Sequence, residues 1–313
     1  MSSTPQVRNV TIDQRNDGQR LDNFLLSQLK GVPRTMIYRI VRKGEVRING
    51  GRAKPSSKLS LGDQVRIPPV RVTQPGKVTI PDGVLERLAE AEIYRNNDVL
   101  VIDKPAGLAA HAGSGLPFGV IEAMRKLHGD DTLELVHRLD RETSGCLVLA
   151  RNRQALLRLQ EVFRGDQIDK RYMLLVESPW THGRTLVDAP LMKNALRGGE
   201  RMVEVCEEGK AARTEFVDLD RYGRTVLLEA RLFTGRTHQI RVHAAHLGNP
   251  VAGDGKYGDR TFNKRMADRG LTRLFLHSHR LTLPTMDGDS VMINAPLPDS
   301  LSAVLDQCRA RRW

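Results

Sequence analysis

The chain has 313 residues, 40% hydrophobic and 27% charged, with a formal net charge of +12. That length can bury a full core and predicts two domains. No segment approaches the roughly 18–20 apolar residues that span a bilayer, and the opening Met1–Gln6 lacks the apolar core of a signal peptide. Cys146, Cys206 and Cys308 lie far apart without metal-ligand spacing, which predicts a reducing cytoplasm.

The charge is unevenly placed. Residues 1–80 hold 15 Lys or Arg against 5 Asp or Glu, a net +10, so the remainder carries only +2. A basic module ahead of a near-neutral body is the footprint of a polyanion binder.

A flexible tail is expected over residues 1–16, then a small domain over 17–80. Arg20–Lys30 reads as a helix with Leu21, Phe24, Leu25 and Leu29 on one face. Gly31 and Pro33 break it, and Pro33 suits the start of a second helix, Arg34–Lys43. That helix turns Ile37, Ile40 and Val41 inward and Arg34, Arg39, Arg42 and Lys43 outward, with Gly44 as its stop. Short strands follow at Glu45–Asn49 and Gln64–Ile67. Arg52, after the Asn-Gly-Gly turn, completes the set of candidate polyanion contacts. The segments "RLDNFL", "GEVRINGGRAKPS" and "LGDQVRI", in that order, resemble the S-four-like (αL) RNA-binding domain.

Pro68, Pro69, Pro75 and Pro81 mark a connecting stretch, with the linker proper placed at 81–90 and a larger domain over 91–313. Its expected strands are Val99–Asp103, Gly145–Ala150, Lys170–Glu177, Arg213–Asp220, Arg224–Leu232 and Ser290–Asn294. Its expected helices are Phe118–Leu127, Arg153–Phe163, Thr237–Leu247 and one near Asp299–Arg309. Strands interspersed with helices predict an α+β fold with a mixed, largely antiparallel sheet.

Two clusters stand out chemically. In His137-Arg138-Leu139-Asp140-Arg141-Glu142-Thr143-Ser144-Gly145, a carboxylate sits between basic side chains ahead of a buried apolar strand. Ninety residues on comes Gly235-Arg236-Thr237-His238-Gln239-Ile240-Arg241-Val242-His243. Together, in this order, they resemble the signature segments of the RluA-type pseudouridine synthases, which isomerise uridine in RNA without metal, redox equivalent or nucleotide cofactor.

The resemblance implies that Asp140 is the catalytic carboxylate. It acts either as a nucleophile on base or sugar or as the base that removes a ribose proton on a glycal route. Arg241 is implied as its cationic partner, with a guanidinium able to grip the carboxylate bidentately. Arg138 is implied to fill the space left by an extruded nucleotide or to hold the RNA backbone. Tyr172 is implied to stack on the uracil, its hydroxyl being also a candidate general base, and Ile240 to cover the opposite face. Asp103-Lys104-Pro105-Ala106-Gly107, with His111 beyond, matches a further family segment that either shapes the site or simply ends a strand. Leu274–Ser278 matches a late segment read as structural.

Within the family, "QLKGVPRTMIYRIVRKGEVRINGGR" and "HAGSGLPFGVIE" look closest to the C group of synthases acting on large-subunit (23S) ribosomal RNA. The D group, with other target uridines, is the alternative. A non-catalytic RNA-binding ribosome-assembly factor is the alternative outside the class. The expected protein is a cytoplasmic monomer acting on ribosomal RNA, naked or in an assembling particle, with no membrane partner. His137, His238, His243 and His246 lack zinc spacing. Ser144 lacks the Gly-x-Ser-x-Gly elbow of a hydrolase.

Overall fold

The computed structural model describes residues 6–29, 31–32, 34–70, 79–113, 116–165, 168–197, 200–285 and 288–310, without the side chains of 34–35, 194–197 and 200–201. It divides into two units, Met1–Thr79 and Ile80–Trp313. No helix among the described residues is long and apolar enough to cross a membrane.

The first unit runs β1 (Arg8–Thr11), α1 (Leu21–Gln28), α2 (Arg34–Arg42), β2 (Arg47–Ile48), β3 (Gly51–Arg52) and β4 (Gln64–Ile67), with sheet order β1-β4-β2-β3. The helices bury the expected faces: Leu21, Phe24 and Leu25 from α1, and Ile37, Ile40 and Val41 from α2. Each such side chain contributes about 1.5–3 kcal/mol of burial. Of the tail expected over 1–16, residues 1–5 lie outside the described residues and the rest is corrected here. Arg8–Thr11 pairs antiparallel with Gln64–Ile67, and Ile12 just beyond is buried in the core. A four-residue edge strand with one inward apolar residue has too little alternation to be seen without its partner.

The second unit runs α3 (Asp82–Ala89), β5 (Glu92–Arg95), β6 (Val99–Lys104), α4 (Val120–His128), β7 (Glu134–Leu135), β8 (Ser144–Ala150) and α5 (Arg153–Arg164). It continues through β9 (Asp169–Glu177), β10 (Thr185–Asp188), β11 (Leu191–Arg197), β12 (Glu200–Val205), β13 (Arg213–Tyr222) and β14 (Thr225–Leu232). It closes with α6 (Gln239–His246), α7 (Arg260–Ala267), β15 (Leu276–Pro284), β16 (Ser290–Asn294) and α8 (Asp299–Ala310). The linker placed at 81–90 is mostly the helix α3, whose Leu88 is buried with Leu100 and Met124 in the main core. Proline at position 81 precedes that helix rather than extending a coil.

The principal sheet has the order β10-β13-β14-β9-β15-β8-β6-β5, with β16 and β7 pairing off this path. Its pairs are antiparallel except β8 with β15, where His277 faces Ser144 and Ser278 faces Gly145. The mixed, largely antiparallel α+β architecture matches the sequence expectation. Gly145 makes the parallel contact possible: its φ is +108°, and a Cβ there would stand 2.2 Å from the Ser278 carbonyl oxygen.

Period-two alternation sorts the sheet into two faces. Leu147 and Leu149 of β8, Tyr172, Leu174 and Val176 of β9, and Val226, Leu228 and Ala230 of β14 join the cluster that includes Ile240 and Ala244 of α6. Cys146, Val148 and Ala150 point to the other face, against Ala155, Leu156 and Leu159 of α5. The alternation therefore turns Tyr172 to the side of the sheet on which Ile240 of α6 packs.

Candidate active site

Asp140 lies in the loop between β7 and β8. That loop is braced from behind. Lys104, at the end of β6, is fully buried and donates through Nζ to the carbonyls of Pro105 (2.8 Å), Leu108 (2.9 Å) and Arg141 (3.2 Å). The Gly107 amide donates to the Arg141 carbonyl at 2.8 Å, and Arg141 Nε returns a bond to the Gly107 carbonyl at 2.9 Å. The Lys-Pro-Ala-Gly segment thus holds the residue next to Asp140 in place. Burial pulls the Lys104 ammonium down to about 7, against the raising pull of Glu142.

The other side of the loop enters β8 through Ser144. Its hydroxyl accepts from Arg273 at 2.6 Å and lies 2.9 Å from His277 Nδ1. Ser144 is thus tied into the sheet beneath the site.

Across the cavity stands α6. Gln239 is buried and its amide is fully engaged. Its oxygen accepts from Thr234 Oγ1 (2.7 Å) and the Arg236 amide (3.0 Å), and its nitrogen donates to the Arg213 carbonyl and Thr214 Oγ1, both at 2.9 Å. His243 is buried, with Thr214 Oγ1 and the Ala189 carbonyl each 2.9 Å from its ring nitrogens. These two residues pin the helix to β13 and so aim Ile240 and Arg241.

The five site residues expected from sequence converge. Arg138, Asp140, Tyr172, Ile240 and Arg241 line one cavity of about 340 Å³. Arg138 and Asp140 also line a neighbouring cavity of about 280 Å³ with His111 and Glu142. Arg138 is exposed. Tyr172 and Ile240 are 7% and 4% exposed, so both serve as core and as cavity wall. Burial pushes the Tyr172 phenol upward, so the resting site holds a protonated phenol.

The electrostatics correct one expectation. Arg241 does not grip Asp140 bidentately. Its fork closes on Asp254, with Nε to Oδ2 at 2.7 Å and Nη2 to Oδ1 at 2.8 Å, while Asp140 Oδ2 stands 3.7 Å from Nη1. Burial alone would raise the Asp254 carboxyl. The Arg241 guanidinium and the amides of Lys256 and Tyr257 outweigh that and hold it below the ordinary carboxylate range. The fork–fork geometry is spent on the fully enclosed acid, leaving the half-exposed Asp140 beside the cation but open to the cavity.

Three residues of the site escaped the sequence reading. Asp254 and Tyr257 lie in the segment Gly253-Asp254-Gly255-Lys256-Tyr257-Gly258, whose glycine density was the available signal. A Cβ on Gly253, φ +75°, would meet the Arg273 carbonyl oxygen at 2.1 Å. His238, considered only as a metal ligand, has Nε2 3.7 Å from Asp140 Oδ2 and Nδ1 2.7 Å from Tyr257 Oη.

In the amino-terminal unit, Arg39, Arg42 and Lys43 surround one concavity with Tyr38, and Arg52 is exposed on β3. The Arg34 side chain lies outside the described residues.

A carboxylate in a cavity walled by an aromatic and an aliphatic side chain, beside a fixed cation, suits chemistry on a flat heterocycle. Comparison with known proteins gives the class. The family model described as RNA pseudouridylate synthase matches residues 98–246, and the S4 domain model matches residues 19–65. The chain is similar to ribosomal large subunit pseudouridine synthase C of Pasteurella multocida (strain Pm70), at 46% identity over 98% of this chain and 95% of that protein. It is also similar to the protein of that description in Escherichia coli (strain K12), at 47% identity over 99% of both. Among solved structures it resembles human RNA pseudouridylate synthase domain containing 4, with a TM-score of 0.61 and 25% identity over 73% of this chain and 96% of that one. Human RNA pseudouridylate synthase domain containing 1 gives 0.59 and 28%, over 75% and 99%. The chain belongs to the RNA pseudouridylate synthase family, as an RluA-type enzyme with an S4 domain ahead of its catalytic domain.

Proposed function

We propose that this enzyme converts specific uridines in large-subunit (23S) ribosomal RNA to pseudouridine, with Asp140 as the reacting carboxylate. The observation that carries the reading is the convergence of Asp140, Tyr172, Ile240 and Arg241 on one cavity of about 340 Å³. A uridine inside structured RNA is unreachable, so the nucleotide must leave its stack. Arg138, exposed at the rim, fills the vacated space or holds the backbone. The uracil lies between Tyr172 and Ile240, a stacking contact worth roughly 1–3 kcal/mol.

The N1–C1′ bond breaks with its electron pair going to the base. The base turns, C5 bonds to C1′, the proton on C5 is lost and N1 gains one. The atoms balance without a co-reactant. Asp140 serves either as the nucleophile that holds the sugar or base in between, or as the base that opens a glycal. In the S4 domain, Arg34, Arg39, Arg42, Lys43 and Arg52 supply phosphate contacts that concentrate the enzyme on rRNA.

The relatives' description as synthase C, at 46–47% identity over nearly the whole chain, favours the C group's targets. We take the working form to be a cytoplasmic monomer acting on rRNA as it assembles. Pseudouridine mapping by carbodiimide labelling and primer extension tests the reading, using large-subunit rRNA from cells with the gene intact, deleted, or restored as wild type or Asp140→Asn. Sites that vanish on deletion and return only with Asp140 support it. An unchanged map, or restoration by Asp140→Asn, overturns it.

A further inference from the structure

His238 is built into the site in a way that the acid–arginine–tyrosine set does not explain. It immediately precedes α6 with φ +56° and ψ 18°, the left-handed region that a side chain other than glycine rarely adopts. Such a conformation persists where the surrounding structure over-determines it, and it clusters at functional sites.

What holds the ring is Tyr257. Its hydroxyl oxygen accepts the Val203 amide proton at 3.1 Å and lies 2.7 Å from His238 Nδ1, with the rings edge-to-face at 5.4 Å. The phenol has one hydrogen to give, and Nδ1 is the acceptor beside it. Burial pushes the Tyr257 phenol up, so it keeps that proton. With that hydrogen given to Nδ1, the nitrogen is an acceptor and the neutral imidazole carries its proton on Nε2. Burial also lowers the His238 imidazole, against the raising pull of Asp140. Arg241, whose guanidinium lies 5.0 Å from the Tyr257 ring centre, adds a further charge that lowers the His238 imidazole.

The Nε2–H faces the reacting carboxylate, but at 3.7 Å it lies beyond hydrogen-bonding reach of Asp140. His238 lines both the cavity assigned to the uracil and its neighbour. Nε2 thus lies beside the carboxylate on a residue that walls the space where a base would turn.

We propose that His238 is a direct substrate contact, its Nε2–H, fixed by Tyr257, donating a hydrogen bond to a uracil carbonyl oxygen while the base is detached. This inference rests on the pseudouridine synthase reading above. Uracil offers two carbonyl acceptors, and when N1 leaves with the bond pair the negative charge spreads onto them. A fixed neutral donor stabilises that charge more than it does the bound nucleoside, and so acts on turnover. An imidazolium in this place would pair with Asp140 instead. Tyr257 is the positioning residue that prevents it from losing its orientation.

The test is release of tritium from full-length large-subunit rRNA transcribed with [5-³H]uridine, using the full-length enzyme. His238→Phe keeps an aromatic ring without a donor, whereas His238→Gln places an amide N–H close to the Nε2 position. The proposal expects kcat to fall about 10- to 100-fold in His238→Phe with KM for the RNA within about threefold. His238→Gln should regain at least a third of the lost factor on a logarithmic scale. Tyr257→Phe should lower kcat by an intermediate amount and, in ¹⁵N spectra of His-labelled protein, shift His238 away from the Nε2–H tautomer. Wild-type-like kcat in His238→Phe overturns the proposal, and so does an equal loss in His238→Phe and His238→Gln. A wild-type enzyme that releases no tritium either from the free transcript or from assembling large-subunit particles that carry it sinks the underlying functional reading instead. An Nδ1–H tautomer in wild type sinks the proposal alone.

Discussion

Replacing Asp254 by Asn isolates the fork that holds Arg241. The Asp254 side chain is 0% exposed and that of Arg241 11%, so little solvent is available to replace the lost charge. Removing one partner of a buried pair costs about 3–5 kcal/mol. Asn retains one acceptor oxygen for the Lys256 and Tyr257 amides, now bonded at 2.8 and 3.0 Å, but turns an N–H₂ toward the guanidinium. About half the full penalty, ~2 kcal/mol, is the expected loss. In a domain of this size that lowers Tm by about 4–8 °C.

Activity should fall with it, because Arg241 loses the contact that fixes its distance from Asp140. A misplacement on the order of 1 Å costs up to about 10²-fold in rate. The pH dependence supplies the sharper check. Asp254 is held below its ordinary value of 3.8, so its contribution is complete above that value and drains away as pH falls through the lower native-state value. The stability gap between wild type and Asp254→Asn should be full at pH 7 and close below about pH 4. Differential scanning calorimetry across that range, with tritium release at pH 7.5, measures both effects. A Tm within 1 °C of wild type together with unchanged kcat would falsify the assignment of Asp254 as the anchor of Arg241.

Gly145→Ala should prevent close pairing of β8 with β15, since its Cβ would meet the Ser278 carbonyl oxygen at 2.2 Å with φ at +108°. A loss of about 2–5 kcal/mol is expected from overpacking and strain, and a thermal melt indistinguishable from wild type would contradict it. Lys104 is held down to about 7 from 10.5 by burial. Between those values the unfolded chain binds more protons, and stability rises with pH. Urea titrations should therefore show wild type gaining about 2–3 kcal/mol over Lys104→Met between pH 7 and 9.5; a constant difference would mean that Lys104 is not buried as a strained cation. Reversing Arg39, Arg42 and Lys43 to Glu should leave Tm nearly unchanged, because these side chains are exposed. The salt dependence of rRNA binding, log Kd against log salt, should flatten by about 2–3, and an unaltered slope would remove that face from the RNA contact.

What the sequence made legible follows from range. Local patterning was enough for β6, β8, β9 and β14, because an apolar run or an alternating stretch can be read from the strand's own residues. It was not enough for β15. Leu276–Pro284 contains two histidines and an arginine, yet it pairs with β8, β9 and β16. His277 is tolerated at the centre because Ser144 Oγ and the Ala295 carbonyl take up its ring nitrogens at 2.9 and 3.1 Å. Those partners are 133 and 18 residues away. Asp140, Tyr172, Ile240 and Arg241 were brought together by the resemblance of their segments to those of the family, and they do line one cavity. Asp254 was not legible, since a lone acid in a glycine-rich loop acquires its meaning only from a guanidinium 13 residues away.

The same logic explains why the second acid beside Arg241 was missed. Sequence reasoning asks what a shielded carboxylate at Asp140 needs and, through the resemblance, finds Arg241, which does stand beside it at 3.7 Å but without the bidentate grip. The fold answers with two acids and divides the labour between them. Asp254, fully enclosed, takes the bidentate grip and meets the desolvation cost of the arginine. Asp140 takes only the residual field at 3.7 Å and keeps its oxygens free. In the proposed reaction, a carboxylate locked in two short bonds would have to break them before it could attack or accept a proton. One held at a distance by a cation that another acid already satisfies can react without that step.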